Sequence, residues 1–497
     1  MKHTKTAVII ITLFLTSAVY AQRNLRLAKK LFYRAYKSNN RKLKIRLRKR
    51  IIKIAPGSVY AKLSRAYFIG FKGNIKGALA IINNVIQTNK TMSSAYTFRA
   101  SIYNVLNKYN KAFKDLFVAL KLNPRDPKPY GQLGELYLYI GKYRKALYYI
   151  NKSIRLDGTD KRNFFFRAKV YSKLGRFKLA VRDFNTALNS DLDKFIIIAE
   201  RGICYSTAGK LYKALADFKK AVVLKPKAGH IYREMGDVYM RMNQREKARQ
   251  CFDKAILLNP SDSASLAYRG YYYLSSGNEN KALKDLRKSI RLNPNSWLAH
   301  YGFGMYYLRK KNLIKAEASL RKAYRINQNV FNIAYELAML YVNMRKMSAA
   351  IYLFNRAIKI NPNKPSAYFN RGVTYFKVRK YKIAMRDFKT ALKFYPKNPD
   401  YLYAMAICYY RLKQFRDAVK YFTHVFSQNT NMIKAIFYRS ISYLRLKKYK
   451  RALKDINTVI KERPDIKATY KIRSEIYNAT GEKQKAKRDI EKYKSLN

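Results

Sequence analysis

"FNRGVTYFKVRKYKIAMRDFKTALKFYP", residues 369–396, decides the fold. Apolar residues recur at helical spacing on both sides of a short basic turn, which predicts two helices folding back on each other. Asp387 then falls on the inner face of the second helix, where a lone carboxylate is costly. Arg371, sixteen residues earlier, lies at a height that meets it when the hairpin closes. The same spacing recurs as Arg99 with Asp115, Arg167 with Asp183, Arg201 with Asp217, Arg269 with Asp285, Arg439 with Asp455 and Arg473 with Asp489. Seven copies in a frame of 34 residues predict a solenoid of stacked hairpins.

The frame runs without insertion from repeats starting at 25, 59, 93, 127, 161, 195, 229, 263, 297, 331, 365, 399, 433 and 467, the last being three residues short. Position 20 is Ala in all but the first, where Lys44 stands. Position 11 is Tyr from Tyr103 onward, and position 32 is Pro in eight repeats, Pro56 and Pro464 being the outermost. A small residue lets two helices approach closely, an aromatic fills the gap beside it, and Pro stops the second helix.

These positions resemble the tetratricopeptide repeat, whose pattern is clear in residues 229–262 at Tyr232, Met235, Gly236, Tyr239, Ala248, Phe252, Ala255 and Pro260. The resemblance implies an all-α, right-handed α-solenoid of about 14 helix-turn-helix repeats. Residues 22–58 would be a degenerate, strongly basic first repeat acting as a cap, and 59–497 thirteen in-register repeats, the last capping the other end. No Gly, Ser or Pro-rich linker divides the array, so it reads as one continuous domain. By resemblance the protein is a non-catalytic scaffold for proteins or peptides.

Where position 7 is Arg, position 23 of the same repeat is Asp in seven cases of eight, the exception being Arg65 with Ile81. Where position 7 is apolar, as at Leu133, Leu337 and Met405, position 23 is Tyr149, Leu353 and Tyr421. This joint variation suggests a partly buried ion pair tying the two helices; the rival is an exposed pair of little energetic weight.

"MKHTKTAVIIITLFLTSAVYAQ" carries Lys2 and Lys5, an apolar run from Ala7 to Leu15, and Val19 and Ala21 before a cleavage point, which reads as a secretory signal peptide over 1–21. The run is shorter than the ~20 residues of a membrane span. The protein is therefore expected to be exported, periplasmic or extracellular, with no transmembrane segment after cleavage; the ending and the Lys, Asn, Ile and Tyr richness resemble exported proteins of AT-rich, Bacteroidota-like bacteria. Cys204, Cys251 and Cys408 have no paired spacing and read as small core residues. The four histidines are scattered, and no phosphate loop, nucleophile elbow or zinc signature occurs, so no catalytic residue, metal or cofactor is expected.

Charge exceeds what the fold needs. Lys and Arg number 105 against 29 Asp and Glu, a net of +76. No acid occurs between Gln22 and Lys114, against twenty-three Lys and Arg, and "RKLKIRLRKRIIK" at 41–53 is the densest stretch. Arg41, Lys42, Lys44, Arg46, Arg48, Lys49, Arg50 and Lys53 are the candidate anion-binding residues. The plain alternative is a solvated helix surface that keeps a large solenoid soluble.

In the tetratricopeptide family the inner wall is built by positions 2, 5, 9, 12 and 13 of the first helix. From 297 to 466 these form an apolar and aromatic row with a basic edge, giving as candidate groove residues Tyr301, Met305, Arg309, Tyr335, Met339, Phe369, Phe376, Lys377, Tyr403, Ile407, Arg411, Phe437 and Arg445. Such a row suits a peptide with apolar anchors and acidic flanks, and it could stack sugar rings. Much of the row is also ordinary repeat packing. The basic clamp with which some members grip chaperone C-termini is missing from every three consecutive repeats. The expected function is a scaffold in an exported or cell-envelope assembly, with an acidic protein or peptide as partner. The alternative is a binder or guide of an acidic polysaccharide, or contact with another envelope polyanion such as an anionic lipid surface; secretion argues against nucleic acid.

Overall fold

The computed structural model describes residues 2–429 and 432–496, with side chains from Val19 onward. Among them every regular element is a helix, and contacts group the chain into two compact units, Met1–Pro260 and Ser261–Asn497. In the first unit the consecutive pairs are α1 (Lys2–Lys37) with α2 (Arg41–Ile54), α3 (Val59–Phe71) with α4 (Ile75–Thr88), α5 (Ser93–Val105) with α6 (Tyr109–Leu122), α7 (Pro127–Tyr139) with α8 (Tyr143–Leu156), α9 (Arg162–Lys173) with α10 (Phe177–Ala187), α11 (Lys194–Thr207) with α12 (Leu211–Leu224), and α13 (Gly229–Arg241) with α14 (Arg245–Leu258). In the second they are α15 (Ser263–Ser275) with α16 (Glu279–Leu292), α17 (Trp297–Arg309) with α18 (Leu313–Ile326), α19 (Phe331–Asn343) with α20 (Met347–Ile360), α21 (Pro365–Lys377) with α22 (Tyr381–Phe394), α23 (Pro399–Arg411) with α24 (Phe415–Gln428), α25 (Ile433–Arg445) with α26 (Tyr449–Glu462), and α27 (Lys467–Ala479) with α28 (Lys483–Ser495). Each unit is an α-solenoid of hairpins, and from Val59 every first helix begins within one residue of its place in the 34-residue frame.

The packing follows the sequence code. Ala384 and Ala391 are fully buried beside Phe388, as the small and aromatic positions require. Position 8 is Gly in six repeats and leaves no room for a side chain there: a Cβ on Gly236 would lie 2.4 Å from the ring of Phe252. In this way volume is exchanged across the hairpin.

All seven Arg–Asp pairs form, each bidentate. In the pair that opens the sequence, Arg371 Nε donates to Asp387 Oδ2 at 2.8 Å and Nη2 to Oδ1 at 2.6 Å. Asp387 is 5% exposed, so the carboxylate is buried while its arginine keeps an outer edge in water. The remaining nitrogen reaches further than the sequence suggested: Nη1 donates to Asn83 from Arg99, Asn151 from Arg167, Asn185 from Arg201, Asn355 from Arg371 and Asn457 from Arg473, with Thr423 serving Arg439. These acceptors lie on the preceding hairpin, so one guanidinium ties three helices. Arg65, which lacks an Asp, donates instead to the carbonyl of Pro56 at 2.8 Å.

From α3 onward, the second residue past each first helix turns left-handed. Gly fills that place at Gly73, Gly141, Gly175, Gly209, Gly277 and Gly481, whereas Asn107, Asn243, Lys311, Arg345, Arg379, Lys413 and Lys447 adopt it at φ between 55° and 60°. Cys204 and Cys408 are buried and Cys251 half-buried, as small packing residues. Burial pushes the Cys408 thiol up to about 12. In α1 the first buried side chain is Ala28, and residues 19–26 are exposed or nearly so. The apolar run of the predicted leader, Ala7 to Leu15, lies outside the described side chains, and among the described residues no helix is long and apolar enough to cross a membrane.

Candidate functional site

The first hairpin makes contacts well beyond its nearest neighbour. Its tip, between α1 and α2, reaches the start of α7 in the same unit: Tyr36 donates its hydroxyl proton to Asp126 Oδ2 at 2.7 Å, and Lys128 Nζ donates to the Tyr36 carbonyl. Asp126 also caps α7 by accepting from the Lys128 backbone N–H at 3.1 Å. Asn39 reaches Thr159 at 3.1 Å. Below these contacts lies a cavity of about 580 Å³, walled by α2 and α3 on one side and by α5, α7 and α9 on the other.

Arg48 lines that cavity and is only 2% exposed. Three rings surround its guanidinium, Tyr67 at 4.4 Å, Phe98 at 5.0 Å and Phe32 at 5.7 Å. Its Nε and Nη1 are buried without a hydrogen-bond partner. Burial holds its pKa down to about 10. Lys44, one turn earlier on α2, also faces the cavity, and burial and then the charge of Arg162 lower its pKa. Across the cavity, burial and then Lys44 hold Lys128 down to about 8, opposed by Asp160 and Asp126. Glu135 is pushed up by burial.

The eight basic residues singled out in α2 therefore do not form one patch. Arg41, Lys42, Arg46, Lys49, Arg50 and Lys53 are exposed, Lys44 is half-buried and Arg48 is buried. Arg41 turns its guanidinium over the Phe71 ring at 4.9 Å, on the cavity wall. The opposite wall uses the inner positions that the sequence points to in later repeats: Lys128 and Arg162 at position 2, Thr97 at position 5, Ser101 and Glu135 at position 9. The periodic pattern gives no sign of the cavity, because one side of it is set by contacts between residues about 90 to 120 apart, Tyr36 with Asp126 and Lys128 and Asn39 with Thr159.

In the second unit the candidate row lies on α17, α19, α21, α23 and α25. Its aromatic members make the seams between helices. Tyr301 is buried against Tyr271 at 5.6 Å; Phe369 lies 4.7 Å from Tyr401 and 5.6 Å from Phe388; Tyr403 packs on Phe422 at 6.0 Å and Phe376 on Tyr381 at 5.2 Å. The Tyr335 hydroxyl accepts from Asn370 Nδ2 at 2.7 Å. Burial pushes the Tyr403 phenol up to about 12. Met305, Met339, Ile407 and Phe437 are half-buried at the borders of the core. Lys377, Arg411 and Arg445 are exposed, with Arg445 3.5 Å from Glu475. Arg309 is engaged differently, donating to the Leu274 carbonyl at the end of α15, and Arg241 does the same for Ser206 at 2.9 Å. Position 13 can thus close the C-terminus of the preceding first helix, where a cation is favourable.

Among the described residues, no three His, Cys, Asp or Glu side chains gather as metal ligands. Stacked hairpins with this packing define a helical-repeat scaffold, a class whose members are mostly non-catalytic and bind other proteins. The matched repeat is the tetratricopeptide repeat: its family models match residues 127–160, 162–194, 229–262 and 270–330. The family model of anaphase-promoting complex, cyclosome, subunit 3 matches 343–425 and 388–459. A similar solved structure is the crystal structure of the APC/C hetero-tetramer Cut9-Hcn1, at 12% identity over 89% of this chain and 94% of that chain, with a TM-score of 0.43. No curated protein matches the chain by sequence.

Proposed function

We propose that the protein is an exported scaffold that holds an acidic peptide segment of a partner along α17, α19, α21, α23 and α25 in a cell-envelope assembly. The observation that carries this is the pairing of a half-buried apolar side chain with an exposed cation on one helix, Phe369 with Lys377 on α21 and Ile407 with Arg411 on α23, flanked by half-buried Met305 and Met339 on α17 and α19 and by exposed Arg445 on α25. Apolar anchors would supply affinity and the cations would select acidic flanks. Export rests on the leader-like residues 1–21; their removal would leave the packed face of α1, which begins at Ala28, intact.

The test is selection of a displayed random-peptide library on the chain, with Lys377→Glu/Arg411→Glu as the counter-target. The two side chains are exposed, so the variant should fold with an unchanged circular dichroism spectrum. Enriched peptides with apolar anchors between acidic residues, bound at least tenfold more weakly by the variant, are expected. Enrichment of acidic sequences without anchors, held equally by both proteins, would remove the groove from the proposal. That result would favour the second reading, an acidic polysaccharide or other polyanion on the exposed cations of α2. Secretion would be checked by the mass of the envelope-derived protein, expected to begin at Gln22.

A further inference from the structure

Every arginine of the Arg–Asp ladder is matched to a carboxylate, yet Arg48, more buried than any of them, is not. Among the described residues it makes no ion pair, and two of its nitrogens are buried without an acceptor. An uncompensated buried cation is strongly unfavourable. The three rings around it offset part of that, since a guanidinium over an aromatic face is attracted by the ring quadrupole, but they accept none of its directed hydrogen bonds. Lys44 aggravates the imbalance: it lies four residues away on the same helix and faces the same cavity, an arrangement that opposes helix formation when both are charged. Two cations facing one half-open cavity are what a bound anion would relieve.

We propose that the cavity of the first unit is a binding site for a small organic monocarboxylate with an apolar or aromatic body, received by Arg48 and Lys44. A volume of about 580 Å³ is of the size that holds small-molecule ligands. Leu63, Phe98, Ile102 and Phe166 provide walls for the body. The guanidinium fork suits a carboxylate, to which it can give two parallel hydrogen bonds. Asp157, Asp160 and Asp191 also line the cavity and would repel a ligand of high negative charge, which disfavours phosphate dianions and polyanionic chains. The tip of the first hairpin, tied to α7 by Tyr36 on Asp126, bounds one side of the space through Tyr36 and Asn39.

This site is separate from the helix row of the second unit, and its test does not depend on that row. Titration calorimetry of the full chain with benzoate and 2-naphthoate, and with 2-naphthamide as the uncharged analogue, reads it directly. Saturable one-to-one binding of a carboxylate is expected, at least tenfold tighter than the amide. Arg48→Met should weaken it at least tenfold and Lys44→Met several-fold. Arg48→Met should also unfold at a temperature no lower than the wild type in the absence of ligand, because it removes an unmatched charge while keeping the volume. Failure of both carboxylates to bind the wild type at millimolar concentration, or equal binding by Arg48→Met, overturns the proposal; so does tighter binding of inorganic phosphate than of either carboxylate. A large loss of stability in Arg48→Met would assign Arg48 to the packing of the three rings instead. In that event Lys44→Met, whose side chain is only half-buried, still decides: unchanged carboxylate affinity in that variant overturns the site.

Discussion

Asp387 is tolerated on an inner face because Arg371 gives it two hydrogen bonds there and spends its third nitrogen on Asn355. Removing the acid alone strands a guanidinium between three helices. Asp387→Asn should therefore cost about 3 kcal/mol, the lower end for breaking a buried pair, since the arginine keeps a wet edge. Arg371→Leu with Asp387→Leu should recover most of that loss, as the repeat with Leu337 opposite Leu353 already does without charge. Urea midpoints of the two variants and the wild type check this; equal losses in both would mean that the pair contributes through its own attraction. Lys128 gives a pH-dependent case. Its folded pKa of about 8 is depressed from an ordinary 10.5, so between these values the unfolded chain binds the extra proton and its contribution to stability grows as pH rises. Lys44, Arg162, Asp126 and Asp160 face it, and the first lowers its pKa most after burial. The stability difference between wild type and Lys128→Gln should shift toward the wild type from pH 7.5 to pH 10, as read from urea midpoints; a difference independent of pH would contradict the depressed value.

At the scale of the hairpin, the turn between helices carries a conformational cost that individual repeats meet differently. Left-handed backbone is free for Gly and costs an L-residue roughly 1–2 kcal/mol. Gly141 pays nothing, whereas Arg379 sits at φ 60°. Arg379→Gly should raise stability by about 1 kcal/mol and Gly141→Arg should lower it by as much; thermal midpoints of the two variants check the pair. Gly236→Ala tests the opposite case, a glycine required by space: its Cβ would meet the Phe252 ring, and about 1–3 kcal/mol of overpacking is expected. Features that repeat were legible in the sequence. The period, the helix boundaries and the Arg–Asp match all recur, so each copy reinforces the others. The asparagine ties also recur, sixteen residues before most of the arginines, and could have been read by extending the same spacing one hairpin back. The capping role of Arg309 and the cavity around Arg48 could not. Both depend on where one side chain turns, and one side of the cavity is set by the meeting of Tyr36 and Asp126, which no periodic pattern encodes.

For the whole molecule, charge is the term that the fold leaves unbalanced. Of 29 acids, seven are committed to the Arg–Asp pairs, leaving 29 − 7 = 22 to face 105 − 7 = 98 remaining Lys and Arg. Several of the 22 are further occupied on the surface, such as Glu317 with Lys346 at 2.9 Å and Asp465 with Arg463 at 2.6 Å. Most cations must therefore see other cations as their nearest charged neighbours, and mutual repulsion opposes the compact state. Salt separates the two kinds of electrostatics in this protein. Raising NaCl from about 0.01 M to about 1 M shortens the screening length from about 30 Å to about 3 Å, which removes repulsion between exposed charges but leaves the buried carboxylates and their bidentate partners largely unscreened. The thermal midpoint should consequently rise with salt, and Asp387→Asn should lose nearly the same stability at both salt concentrations. A midpoint that falls with salt would mean that surface ion pairs outweigh the repulsion of the excess cations. A loss in Asp387→Asn that fades with salt would mean that the carboxylate is exposed to solvent ions, against its 5% exposure.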